Sequence, residues 1–260
     1  MSEQSIPETG RVVWHDLMTT NAETSEKFFT ELFGWQVKEV DMGPPAGVYR
    51  MLSAGGTDIG GIVPMDKPDI PSHWIAYVSV DDVDAAVGRA TSMGGTAAVP
   101  AMDIPNVGRF AVVGDPGGAY ISPFKSAQPY TAETDAPPAP GTFCWEELLT
   151  HDSETSLRFY GELFGWTTKT MPIGDGEYTL FCRGPKETGG CMKMPPEAGD
   201  APAHWVSYVA VEDADAVAAK ATELGGKIFV EPRDIPGIGR FSVAADPTGA
   251  MFAFYKSLRS

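Results

Sequence analysis

The chain has 260 residues, 43% of them apolar and 21% charged, a globular balance with room for one large domain or two ordinary ones. Its formal charge of −16, from 19 basic and 35 acidic side chains, repels phosphate backbones and anionic lipid, which argues against nucleic acid and membrane as partners. No apolar run approaches the roughly 18 residues of a membrane span. The start, "MSEQSIPETG", lacks the basic and apolar regions of a signal peptide, so a cytoplasmic location is expected.

In chain order, "RVVWHDLMT" alternates and carries β-branched residues, as a strand does. Asn21 then stands as an N-cap before Phe28, Phe29, Leu32 and Phe33 at helical spacing, and Gly34 stops the helix. Short strands follow at Trp35–Asp41, Val48–Ser53 and Asp58–Pro64, punctuated by Gly and Pro. "WIAYVSV" is the next strand; Asp81 or Asp82 caps a second helix, "VDAAVGRATSM", which Gly94 and Gly95 end. Strands near Thr96–Val99, Arg109–Val113 and Ala119–Phe124 follow.

That series is then repeated. "WHDLMTTNAETSEKFFTELFGW" from Trp14 returns as "WEELLTHDSETSLRFYGELFGW" from Trp145, an offset of 131 residues. The same offset carries His73-Trp74 onto His204-Trp205, "VDDVDA" onto "VEDADA", Gly94-Gly95 onto Gly225-Gly226, and "GDPGGA" onto "ADPTGA". A register held from end to end implies that the two halves share loop lengths throughout. The expected domains are residues 10–125 and 141–257, joined by a Pro/Ala-rich linker at 126–140. Cys144, Cys182 and Cys191 have no counterparts in the first half and no C-x-x-C pairing, so they are read as reduced thiols and not as a zinc site.

The order of strand, "D/N-x-E-x-x-x-x-F-F/Y-x-x-L-F-G-W", "V-D/E-D-V/A-D-A…GG" and "G-R-F…DP-x-G-A", given twice, resembles the vicinal oxygen chelate superfamily. That group includes glyoxalase I, bleomycin-resistance proteins and extradiol dioxygenases; tandem glyoxalase-like proteins are the most similar. The resemblance implies an α+β fold of four βαβββ motifs forming two halves, each a cup-shaped mixed sheet with flanking helices. It also implies a divalent metal held by His and Glu in each cup. Here the sequence departs from the pattern. The positions that answer to the usual ligands are Trp14, Ile75 and Ser122 in the first half, and Trp145, Val206 and Ala253 in the second. The fourth-strand Glu has only Asp58 and Glu187 nearby. Indole, alkyl and methyl groups offer no lone pair to a metal. No metal and no cofactor is therefore expected, with a divalent metal on unconventional ligands as the alternative.

The remaining polar groups have two readings each. His73 and His204 share a strand face with the expected ligand position; they are ligand contacts, or strand-entry residues held by hydrogen bonds. His15 falls on the opposite face, and His151 at a turn. Trp14 and Trp145 are packing residues, or stacking platforms for a flat ligand. Asp16 and Glu147 lie on the same face by strand parity; they are candidate general acids or bases, or acceptors for a neighbouring strand or for Arg109 and Arg240. Tyr77 and Tyr208 point the same way and can bind a ligand oxygen. Ser122 joins them as a ligand contact, although no His or Asp stands at a spacing that would make it a nucleophile.

The expected function is binding of an apolar or aromatic metabolite, or proton-transfer chemistry upon it. The alternative is a metal-dependent lyase or dioxygenase of the lactoylglutathione lyase type, and a third reading is a drug-resistance binder. The expected partner is a small molecule, and the expected state a monomer or homodimer.

Overall fold

The computed structural model describes residues 8–43, 47–67, 69–131, 133, 136–173 and 176–258. The chain start (residues 1–7) and linker positions 132, 134 and 135 lie outside them. The first half runs β1 (Val12–Thr19), α1 (Ala22–Phe33), β2 (Gln36–Asp41), β3 (Val48–Ala54), β4 (Thr57–Pro64), β5 (His73–Ser79), α2 (Val83–Ser92), β6 (Thr96–Ile104), β7 (Gly108–Gly114) and β8 (Tyr120–Ser126). The second repeats it as β9 (Phe143–Thr150), α3 (Ser153–Phe164), β10 (Thr167–Ile173), β11 (Gly176–Arg183), β12 (Lys186–Lys193), β13 (His204–Ala210), α4 (Ala214–Glu223), β14 (Lys227–Ile235), β15 (Gly239–Ala245) and β16 (Met251–Ser257). Strand-helix-three-strands is thus given four times, as expected.

Local chemistry sets these boundaries. The Asn21 side chain accepts the Thr24 N–H at 3.1 Å and starts α1, and Asp152 does the same for α3. Gly34 and Gly165 end those helices at φ of 72° and 71°, a left-handed turn that costs a β-carbon dearly. Asp82, not Asp81, caps α2. The largest departure from the expected strand lengths is β6, which continues past Val99 to Ile104. It tolerates Pro100 because it lies at the sheet edge and its register shifts between Val99 and Met102.

Each half makes one eight-stranded mixed sheet, β2-β3-β4-β1-β5-β8-β7-β6 and β10-β11-β12-β9-β13-β16-β15-β14. Within each motif three strands form an antiparallel meander whose last member pairs in parallel with the first, as β4 does with β1.

Packing divides the chain differently from the repeat. One compact unit takes the chain up to Val13 with Ala76–Asp135 and Trp145–Trp205; the other takes Trp14–Ile75, Ala136–Cys144 and Val206–Ser260. Each unit therefore joins a motif of one half to a motif of the other. The first buries Val78, Val113 and Ile121 with Phe159, Tyr160 and Phe181; the second buries Leu17, Phe29 and Trp35 with Phe252 and Phe254. The repeated "ELFGW" explains part of this. Trp166 Nε1 donates to the Gly10 carbonyl at 2.8 Å in the first unit, and Trp35 Nε1 to the Gly141 carbonyl at 2.6 Å in the second. The tryptophan ending the first helix of each half thus fastens the segment that opens the other half. Gly10 has φ of 85°, and a β-carbon there would come within 2.7 Å of Trp166 Nε1.

Parts of the linker follow the same division: Arg11 donates to the Thr131 carbonyl at 2.7 Å, and Arg183 pairs with Glu133. The three cysteines are free thiols. Among the described residues no helix is long and apolar enough to cross a membrane.

Candidate functional site

Strand parity separates two faces of β1. Leu17 packs among Phe28, Phe29 and Leu32 of α1, so Trp14 and Asp16 occupy the face away from the helices. There they join a residue the sequence did not single out. Tyr49, on β3, donates its hydroxyl to Asp16 Oδ1 at 2.6 Å and accepts from Trp14 Nε1 at 2.8 Å. Trp14 Nε1 also reaches Asp16 Oδ1 at 3.1 Å. Gly61, the register partner of Asp16, makes the room: a β-carbon there would overlap the phenol oxygen. Burial, reinforced by the Asp16 charge, raises the Tyr49 phenol well above its ordinary pKa, so it remains a donor.

The second copy is built alike in the first unit. Tyr178 of β11 donates to Glu147 Oε1 at 2.8 Å and accepts from Trp145 Nε1 at 3.0 Å. Gly190 stands opposite Glu147, and a β-carbon there would again overlap the phenol. Burial and the Glu147 charge push this phenol upward too. Leu180, Cys182, Met171, Ile173 and Met192 surround it with apolar surface.

Tyr49 and Tyr178, and Gly61 and Gly190, are 129 residues apart, not 131. The expectation of shared loop lengths throughout is therefore corrected: the register slips by two residues after the first helix and returns at His73 and His204. The recurrence of a tyrosine and a Gly-Gly pair at a common offset was the signal that could have found this cluster.

The other candidates are more dispersed. Tyr77 lies opposite Ser122 in the register, its ring 6.0 Å from Phe110 and 5.9 Å from Phe124. The Ser122 hydroxyl is buried and donates to the Ala111 carbonyl at 2.7 Å. Tyr208, opposite Ala253, meets Phe241 at 6.4 Å. His73 Nδ1 donates to the Pro71 carbonyl and His204 Nδ1 to the Pro202 carbonyl, each at 2.8 Å, as strand-entry residues would. His15 is stacked on Phe143 with centroids 3.7 Å apart, and His151 Nε2 bonds the Ala201 carbonyl. Arg109 and Arg240 do not serve the carboxylates Asp16 and Glu147: Arg109 is clamped by Asp84 and Asp103, Arg240 by Asp215 and Asp234.

These side chains do not fit the metal that the resemblance implies. Its ligand positions hold Trp14, Ile75, Ser122, Trp145, Val206 and Ala253. Asp16 and Glu147 accept from phenols, and Glu187 pairs with Lys169 at 3.3 Å. Among the described residues no three His, Cys, Asp or Glu side chains gather as a ligand set.

Comparison with known proteins agrees with the repeat. The Glyoxalase/Bleomycin resistance protein/Dioxygenase superfamily matches residues 11–122 and again 144–254. CFP32 of Mycobacterium tuberculosis, whose name makes it a candidate glyoxylase, is 40% identical over 98% of both chains. The anthracycline biosynthesis protein DnrV of Streptomyces peucetius is 30% identical over 94% of this chain and 92% of its own. The Mn(II)-bound glyoxalase from Novosphingobium aromaticivorans superposes with a TM-score of 0.63, covering 96% of this chain and 83% of its own, at 16% identity, a likeness of fold.

Proposed function

The chain belongs to the Glyoxalase/Bleomycin resistance protein/Dioxygenase superfamily, and from that premise we propose that it binds a small apolar or aromatic molecule without a resident metal. The binding surfaces are the helix-free faces carrying Trp14, Tyr49 and Asp16, and Trp145, Tyr178 and Glu147. One observation carries this reading: in both copies a phenol hydroxyl, seated over a glycine, is hydrogen-bonded to the carboxylate. A carboxylate so engaged is a poor candidate for a metal ligand, and the indole beside it offers a flat, half-exposed surface. Asp16 Oδ1 already accepts from two donors, which favours binding over proton transfer as its role. The DnrV relative's name adds a flat polycyclic aromatic to the candidate ligands.

Binding is tested with anthraquinone-2-carboxamide, a neutral fused-ring probe whose absorption overlaps tryptophan emission. Saturable quenching is expected, with Trp14→Phe or Trp145→Phe weakening it by roughly 1–3 kcal/mol, as for a buried aromatic anchor. Elemental analysis of the same preparation is expected to find less than stoichiometric zinc, nickel, iron or manganese. Near-equimolar metal lost on His73→Ala or His204→Ala would instead establish the metal-dependent alternative. Absence of saturable quenching, or binding indifferent to both indoles, removes the assignment of these faces.

A further inference from the structure

The second unit holds a cation that its ion pairs leave out. On β15, Arg240 turns toward α4, where Asp215 receives its Nε and Nη2 at 2.7 and 2.8 Å, and Ala244 enters the core. Alternation therefore sends Phe241 to the helix-free face. There its ring adjoins Tyr208, and the Arg233 guanidinium lies 5.0 Å from the ring centroid. Among the described residues the Arg233 side chain makes no ion pair or hydrogen bond, although Asp234 beside it is joined to Arg240 at 2.9 Å. An exposed arginine is most often simply solvated. This one is stacked on an aromatic ring in a chain of 35 acidic and 19 basic side chains, where a carboxylate partner is easily found. Stacking also pre-orients the planar donor fork, so that less freedom is lost when it grips an anion. The same position in the other half, 131 residues earlier, is Met102, opposite Phe110.

We propose that Tyr208, Phe241 and Arg233 form a wall that recognises the carboxylate of an aromatic ligand, whereas Tyr77, Phe110 and Met102 form its neutral, apolar counterpart. This deepens the small-molecule reading and rests on it. A carboxylate accepts two parallel N–H bonds from a guanidinium, a match that a carboxamide of the same shape makes less well.

Anthraquinone-2-carboxylate and anthraquinone-2-carboxamide differ in that one group and serve as the paired probes. In low salt the intact protein is expected to bind the carboxylate at least about tenfold more tightly, as charge-assisted hydrogen bonds allow. Arg233→Met is expected to abolish the preference while carboxamide affinity stays within about twofold, and Arg233→Lys, a point charge without the fork, to keep part of it. Equal binding of the two probes by the intact protein, or a preference that survives Arg233→Met, overturns the wall and leaves the small-molecule reading standing. Binding of neither probe overturns both.

Discussion

Tyr160 of the first unit and Phe29 of the second hold the same place on their helices, and a single hydroxyl distinguishes them. Each ring meets an indole edge-on: Tyr160 meets Trp205 at 4.9 Å, and Phe29 meets Trp74 at 5.3 Å. Trp205 Nε1 donates to the Tyr160 oxygen at 2.9 Å, but Trp74 Nε1 is buried without a hydrogen-bond partner among the described residues. The second unit keeps its extra hydroxyl elsewhere. Thr248, at the position of Gly117, donates to Asp246 at 2.7 Å, where Asp246 also receives Ser25 at 2.6 Å. In the first unit Asp115 receives Ser156 at 3.1 Å and the Ala119 N–H at 2.8 Å. Two copies of one architecture have thus placed a hydroxyl at different points around equivalent buried carboxylates, Tyr160 beside Asp115 and Thr248 beside Asp246, and in one copy an indole N–H is left over. Pairing buried polar groups is a requirement on the whole cluster, not on any one position.

The Trp–Tyr–carboxylate clusters differ in enclosure. Tyr178 is buried at 9% exposure beneath its apolar neighbours, whereas Tyr49 is half-buried. Gly190→Ala should therefore have the largest effect, about 3 kcal/mol in urea unfolding, from overpacking and an expelled phenol together. Gly61→Ala should lose less, since Tyr49 can swing toward solvent. Equal losses would show that the two clusters are equally enclosed.

Tyr178→Phe removes a donor to Glu147 and should lose about 2 kcal/mol. Its pH dependence has a definite sign. Burial raises the folded phenol above the ordinary value of 10.0, so above that pH the unfolded chain releases a proton the folded one keeps. The tyrosine's contribution is fully present below pH 10 and declines above it, so the gap between wild type and Tyr178→Phe should narrow as pH rises from 9 toward 11. A constant gap would refute the enclosed phenol.

Smaller effects follow from the hydroxyl that differs. Tyr160→Phe leaves Trp205 Nε1 unpaired and should lose about 1.5 kcal/mol, while Phe29→Tyr should gain about 1 kcal/mol by giving Trp74 an acceptor. Loss in both variants would mean that Thr248 has filled the space the new oxygen needs. Least of all, Arg109→Ala and Arg240→Ala should leave the urea midpoint nearly unchanged, because both clamps are exposed to solvent. A clear shift for one alone would break the equivalence of the units at their surface.

Much of this is legible in the amino-acid sequence alone. Caps at Asn21, Asp82 and Asp152, the stop at Gly34, and the alternation of β1 are local features, readable because helix and strand periods are set by the backbone over a few residues. The same period puts Trp14 with Asp16, and Trp145 with Glu147, on one face. The repeat itself establishes the four motifs and the family resemblance. Tyr49 and Tyr178 are not legible, because what joins them to those carboxylates is the pairing of β3 with β4 and of β11 with β12, across a two-residue slip in the repeat. Nor can the repeat show that each packing unit draws one motif from each half. That follows from which apolar faces meet and from Trp35 and Trp166 finding carbonyls 106 and 156 residues away. Local periodicity selects a residue's face; its partner across that face is chosen by the folded chain as a whole.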